Sequence, residues 1–210
     1  MKKIIHIFLA TMLLTAVVNA AHAQNQGKAI LSLGYNYSLP LGSFKNDIIS
    51  NGSPRGFNGD LMFTINPKWS AGLGFGFQDY YQKFPRAIYP TGDHEQTSAV
   101  LSNSIQSIPI LAKGIFMPLA GKGGLLQPYI SAGAGLSFVD FRQYLGAFGS
   151  MGSNASFTAQ GGAGIMLPFK KNGAAGVNLG ADYNYVSYQN FGYSNLNNLS
   201  FHAGVHFPLK

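Results

Sequence analysis

Near its C-terminal end the 210-residue chain carries Ser200, His202 and His206, with Asp182 upstream. A serine hydroxyl beside an imidazole, oriented by a carboxylate, is the constellation of a lipase-like hydrolase. The spacing argues for a different role. On a strand these residues recur with period two, so Ser200, His202 and His206 share one face, and two histidines there serve as interior filling. A zinc centre needs a third protein ligand, which the pattern does not supply. The chain has no cysteine, so thiol nucleophiles, thiolate ligands and disulfides are excluded. Asp93, His94 and Glu95 form a second polar cluster, suited in type to a cation or a sugar. They lie in a long polar stretch and read as a solvated loop tip. Gly72-x-Gly74-x-Gly76 has the spacing of a dinucleotide loop, but that fingerprint requires a helix to follow, and here the alternation simply continues. No catalytic residue, metal or cofactor is expected.

The elements that carry these residues are strands. Period-two alternation recurs in eight segments, near 29–39, 57–65, 69–78, 106–116, 130–138, 157–167, 177–185 and 199–207. Each is close to the ~9–11 residues of a tilted membrane strand. The third is the clearest, with Trp69, Ala71, Leu73, Phe75 and Phe77 opposed to Ser70, Gly72, Gly74, Gly76 and Gln78. Short turns at 66–68, 119–126 and 170–173 alternate with longer polar segments at 40–56, 81–104, 142–155 and 188–197. This is the rhythm of an all-β, eight-stranded antiparallel up-and-down transmembrane β-barrel with short periplasmic turns and long outer loops.

The polar face decides between a membrane barrel and a soluble one. A water-facing surface is rich in Lys and Glu, whereas this face is Gly, Ser, Asn and Thr, with Asp60, Lys113 and Asp182 the charges well inside strands. Small polar residues suit the narrow interior of eight strands. Asp60, Lys113, Asp182, His202 and His206 are therefore expected as a lumenal cluster in which Lys113 pairs with Asp60, Asp182 or both. Aromatics near strand ends read as two interfacial belts. Tyr35, Tyr37, Phe57, Tyr80, Phe141, Phe157, Tyr183 and Tyr185 fall towards the outer loops, and Trp69, Phe116, Phe169 and Phe207 towards the inner turns.

Lys2 and Lys3, the apolar run 4–18 and Ala21-His22-Ala23 have the form of a secretory signal peptide cut before Gln24. The expected organisation is a signal peptide over 1–23 and a barrel over 24–210. Charged residues make up 10% of the chain, against roughly 25% in soluble proteins. The net charge of +7 falls to +5 without Lys2 and Lys3, and the remaining basic residues are scattered. A nucleic-acid partner needs a basic stripe and is not expected.

Three stretches carry a family likeness: Gly34…Pro40-x-Gly42-x-Phe44, then Ile108-Pro109-Ile110-Leu111-x-Lys113, and Gln127-Pro128-Tyr129-Ile130-x-Ala132-Gly133-x-Gly135. With them the chain resembles the small outer-membrane β-barrel domain family, which includes the OmpX-, OmpW- and PorT-like proteins. The likeness covers 24–210 and implies a fold and a location in the outer membrane of a Gram-negative cell. Many such barrels end on an aromatic residue; here Phe207 is followed by Pro208, Leu209 and Lys210, read as a short periplasmic tail. The expected role is a non-enzymatic barrel whose surface loops interact or support the envelope. Its partners would be outer-membrane lipid, lipopolysaccharide and a surface or periplasmic protein. A conduit for small or apolar solutes and a membrane-embedded lipid hydrolase are the alternatives.

Overall fold

The computed structural model describes residues 29–90, 96–120, 124, 126–170, 175–190 and 192–209. Asp93, His94, Glu95 and the segment 1–23 lie outside the described residues. The barrel strands are β1 (Ala29–Pro40), β2 (Ser53–Thr64), β3 (Trp69–Lys83), β4 (Leu101–Phe116), β5 (Gln127–Leu145), β6 (Phe148–Pro168), β7 (Gly176–Val186) and β8 (Asn198–Leu209). Each pairs antiparallel with its neighbours in sequence, and β8 closes on β1 from Ala29↔Leu209 to Pro40↔Asn198. Closure leaves no open edge within the bilayer, where an unpaired backbone group finds no water.

The alternation sorts the side chains as lipid requires. Leu33, Phe63, Leu73, Phe75, Ile110, Ile130, Leu136 and Phe201 point outward and are exposed, while Ser32, Asp60, Ser70, Lys113, Ser131 and Asn178 point inward and are buried. Tyr35, Tyr37, Phe57, Phe157 and Tyr183 at the outer end, and Trp69 and Phe169 at the inner end, are likewise exposed, as belt residues must be. Trp69 stacks on Phe116 with ring centroids 4.6 Å apart. The β2–β3 turn is locked by Asn66, whose Oδ1 accepts from Lys68 N at 2.9 Å and Trp69 N at 3.0 Å. That is an Asx turn with Pro67 at its tip.

The wall reaches further than the sequence expectation at several strand ends. Residues 53–56, 81–83, 101–104 and 208–209, expected in connections or a tail, are strand. Two further departures are larger. The segment 142–155, expected as a loop, is strand: β5 and β6 stay paired from Gln127↔Met166 up to Leu145↔Phe148, joined by a turn in which Gly146 takes φ +61°. At ~3.4 Å per residue, the roughly ten residues beyond a membrane-length strand carry this hairpin about 30 Å further along the strand. The missing alternation has a physical reason, since both faces of this part are exposed and a stretch beyond membrane length has no lipid on one side to enforce period two. Second, the β3–β4 ladder skips from Phe75↔Ile110 to Gln78↔Ser107. Pro109, which has no N–H to give, sits in that gap.

The remaining outer connections hold a short π-helical turn, Phe44–Ile48, and two small ladders, Ala87–Pro90 with Gln96–Ala99 and Gln189–Asn190 with Tyr193–Ser194.

Candidate functional site: the barrel lumen and its outer mouth

A barrel of eight strands has room inside for side chains and little else. The chain fills it by setting glycine on one strand against a long polar side chain from the next. Asp60 of β2 faces Gly74 of β3 in the ladder, and a Cβ at Gly74 would lie 2.8 Å from Asp60 Oδ1 and 3.4 Å from Lys113 Cδ. Through that gap Lys113 reaches Asp60, with Nζ 3.1 Å from Oδ2 and 3.2 Å from Oδ1. Both side chains are buried. Desolvating two charges is costly, and such a pair persists when the remaining polar groups around it are satisfied.

The second half of the lumenal cluster is built on β5, β7 and β8. His202 Nε2 lies 2.8 Å from Tyr129 Oη, and its Nδ1 lies 2.9 Å from Asp182 Oδ2. The contact to Asp182 is close but not a well-aligned hydrogen bond, because Nδ1 finds no partner in line with its ring direction. Ser131 Oγ donates to the other carboxylate oxygen at 3.4 Å. Gly180, across the ladder from His202, leaves the space that the imidazole and Tyr129 Oη occupy. Asp60–Lys113 and Asp182–His202 are thus two pairs in one lumen, and Lys113 takes Asp60 as its hydrogen-bonded partner. His206 stands apart, buried beside Gly176 with its Nδ1 unpartnered.

Ser200 does not join His202. Its hydroxyl lies 3.0 Å from Ser38 Oγ and 3.1 Å from Asn198 Oδ1, and it accepts from Asn184 Nδ2 at 3.1 Å. Ser, His and Asp therefore occur side by side on the wall without a serine–histidine hydrogen bond. Among the described residues no group of three or more acidic or histidine side chains is placed to hold a metal ion. Asn36, Asn58, Asp60, Lys113, Gln160 and Asp182 border a cavity of about 60 Å³. At the ~15 Å³ one water needs, that is space for a few waters rather than a solute.

Above the cavity the lumen changes character, which the sequence reading missed. Tyr80, Ile105, Val139, Phe141 and Val186 turn inward from the strands. Phe44, Ile48, Ile49, Tyr188 and Leu196 fold down onto them from the outer connections, and all ten are buried. Phe44 meets Tyr80 edge-on at 4.9 Å, and Phe141 meets Tyr193 at 5.9 Å. Asn103 Nδ2 donates to Ile48 O at 2.8 Å, and Ser43 Oγ donates to Ser194 O at 2.6 Å, which ties the connections to the wall and to each other. Burial raises the Tyr188 phenol above its ordinary pKa. Tyr80 and Phe141, expected in the outer aromatic belt, thus belong to this cap. The signal was available in parity: Tyr80 shares its face with Gln78 and Gly76, and Phe141 with Ser137 and Gly135.

On the outer rim, just above the apolar band, Arg55 Nε pairs with Asp79 at 3.2 Å and Arg142 with Asp140 at 2.6 Å. Arg55 also sits over the Tyr81 ring at 5.8 Å.

A family model described as the outer membrane protein beta-barrel domain matches residues 7–207. Among solved structures, the outer membrane protein OprG from Pseudomonas aeruginosa is similar at a TM-score of 0.54 and 14% identity, covering 87% of this chain and 96% of its own. Neisserial surface protein A is similar at 0.52 and 17%, covering 87% and 97%. The attachment invasion locus protein of Yersinia pestis, in complex with the heparin analogue sucrose octasulfate, gives 0.48 and 20%, covering 86% and 99%. No curated protein sequence matches the chain. At these identities the structural likeness is one of fold.

Proposed function

The chain belongs to the outer membrane protein β-barrel domain family, and on that premise we propose that it acts as a sealed, non-enzymatic barrel that holds a surface platform above the outer membrane. The observation that carries this reading is the apolar cap at the outer mouth, seated over a lumen already filled by the Lys113–Asp60 and His202–Asp182 pairs. Water and ions need a continuous polar path. Ten buried apolar side chains and a cavity of about 60 Å³ do not supply one.

The rest of the molecule agrees with a platform. The exposed apolar wall suits hydrocarbon as its partner. The rim carries the charged pairs Arg55–Asp79 and Arg142–Asp140, which suit the polar headgroup level of outer-leaflet lipid, lipopolysaccharide included. The long β5–β6 hairpin places its tip beyond that rim, where a surface protein could meet it. Ser200 bonds to Ser38, Asn198 and Asn184 rather than to His202, so it is not activated as a hydrolase's nucleophile would be.

Purified protein reconstituted into planar lipid bilayers tests the reading. No steady conductance is expected, and a defined single-channel step from the unmodified protein would replace the platform with a conduit.

A further inference from the structure

Charge is distributed unevenly along the barrel axis. Without Lys2 and Lys3 the chain carries a net +5. In the outer connections and strand ends Lys45, Arg55, Lys83, Arg86 and Arg142 are matched in number by Asp47, Asp79, Asp93, Glu95 and Asp140. The lumen sets Lys113 against Asp60 and Asp182. By sequence, Lys28, Lys68, Lys122, Lys170, Lys171 and Lys210 fall at the inner junctions of the strands, and no acidic residue occurs there. The positive excess of the chain therefore belongs to its inner end.

Two of these lysines are among the described residues. Lys68 lies in the β2–β3 turn and Lys170 in the β6–β7 connection, on opposite sides of the ring of eight strands. Both are exposed, and among the described residues neither has an acidic partner. Each adjoins an exposed aromatic of the inner belt: Lys68 precedes Trp69, and Lys170 follows Phe169. Backbone bonds fix both places. Met117 N donates to Lys68 O at 2.8 Å, which clamps the Asx turn to the end of β4, and Phe169 N donates to Ala175 O at 2.9 Å.

We infer that Lys68 with Trp69, and Lys170 with Phe169, are binding sites for phospholipids of net-negative headgroup in the inner leaflet. At this level a lysine lays its aliphatic stem along the apolar wall and lifts its ammonium to the headgroups. A tryptophan settles at the same depth, with one side apolar and its N–H towards water. A phosphodiester without a cation of its own is the matching ligand, because a zwitterionic headgroup brings an amine that repels the lysine. The occupant is a lipid rather than a soluble polyanion of the periplasm because each cation stands beside an exposed ring. An acyl chain and its phosphate cover both at once, whereas a soluble polyanion answers only the charge. Fields at the surface fade over ~8 Å at physiological salt, so sites on opposite walls act separately. None of this depends on whether the outer mouth is sealed.

Trp69 is the one tryptophan of the chain, so its fluorescence reports the lipids that touch the inner belt. The test places the full-length protein in vesicles of phosphatidylcholine and phosphatidylglycerol, with bromine on the acyl chains of one lipid or the other as the contact quencher. Trp69 samples only the leaflet at its own end, so mixed orientation in the vesicles does not blur the reading. Phosphatidylglycerol is expected to displace phosphatidylcholine at Trp69 with a preference of about twofold to fivefold, the effect of one lysine at an anionic surface. The preference should vanish in Lys68→Gln, persist in Lys68→Arg, and vanish for the unmodified protein in about 1 M NaCl, where screening acts within ~3 Å. Heat-dependent gel mobility should be the same in all three proteins, and Lys170→Gln should leave the preference at Trp69 unchanged. Equal quenching by the two brominated lipids in the unmodified protein, or a preference that survives Lys68→Gln, overturns the proposal. Co-sedimentation with purified peptidoglycan that is lost in Lys68→Gln, without any lipid preference at Trp69, also overturns it and assigns the lysines to the wall polymer.

Discussion

Lys113 reaches over β3 to Asp60, Nζ lying 3.1 Å from Oδ2, at the point where the intervening strand carries Gly74. The three residues form one unit: two charges on strands that are not neighbours, and a glycine that lets them meet. Removing one partner of a buried pair leaves a charge uncompensated, at a cost of ~3–5 kcal/mol. Lys113→Met is therefore expected to lower the urea unfolding midpoint of the micelle-bound protein, and adding Asp60→Asn should restore part of the loss. Unchanged stability in Lys113→Met would show that the pair does not hold the lumen together.

A sharper control lies on β6, where two consecutive glycines face opposite ways. A Cβ at Gly162 would collide with Asp182 Oδ1 and the Ala181 carbonyl, while a Cβ at Gly161 meets nothing within 4 Å. Gly162→Ala should destabilise by ~1–3 kcal/mol, as overpacked interiors do. Gly161→Ala should stay within about 0.5 kcal/mol of the parent. Equal effects at the two sites in the same urea titration would mean that the lumen is looser than the geometry requires.

Tyr129→Phe removes the hydroxyl 2.8 Å from His202 Nε2 and leaves a buried ring nitrogen without that partner. The expected loss is ~1–3 kcal/mol. Tyr37→Phe, on the lipid-facing side, is the comparison and should cost less. A reversed order would place the stabilising network elsewhere.

The cap can be weakened separately from the wall. Phe141→Ala deletes a ring packed against Tyr193, in a class of change that costs ~3–5 kcal/mol. The loss is expected mainly at the mouth, so amides of 44–49 should exchange faster while those of β7 and β8 keep their protection. Uniform loss of protection would show that cap and wall unfold as one unit.

Export and orientation give a further pair of measurements. N-terminal sequencing of membrane-extracted protein should begin at Gln24, and an intact Met1 would remove the signal peptide from the account. Protease added to whole cells should cut within 81–104 and spare Lys170. The opposite pattern would turn the barrel over.

The alternation of Trp69–Phe77 and of Ile130–Phe138 made the wall and its two faces legible in the sequence, because lipid enforces period two wherever it touches the chain. Pairing inside the lumen was legible only as a set of candidates: alternation turns Asp60, Lys113 and Asp182 inward, but the choice of Asp60 over Asp182 depends on the gap at Gly74. The outer hairpin was not legible. Gly149, Ser150, Gly152, Ser153 and Asn154 have the composition of a loop, and the strand there is held by pairing to β5 rather than by any preference of its own. The cap was hidden for a related reason. Phe44, Ile49, Tyr188 and Leu196 are isolated apolar residues in polar segments, and their burial together is a long-range fact that local pattern cannot register.

The cap also gives the two ends of the molecule different responses to temperature. Burying apolar surface from water is the part of folding that carries a large heat-capacity change, and in this barrel that burial is concentrated at the mouth, since the wall turns its apolar side to hydrocarbon. Hydrophobic attachment of this kind weakens on cooling, whereas closure of the wall by backbone pairing draws on no such term. The outer connections should therefore loosen first in the cold while the wall persists, and a calorimetric trace should split in two, with the curvature carried by the smaller, outer transition.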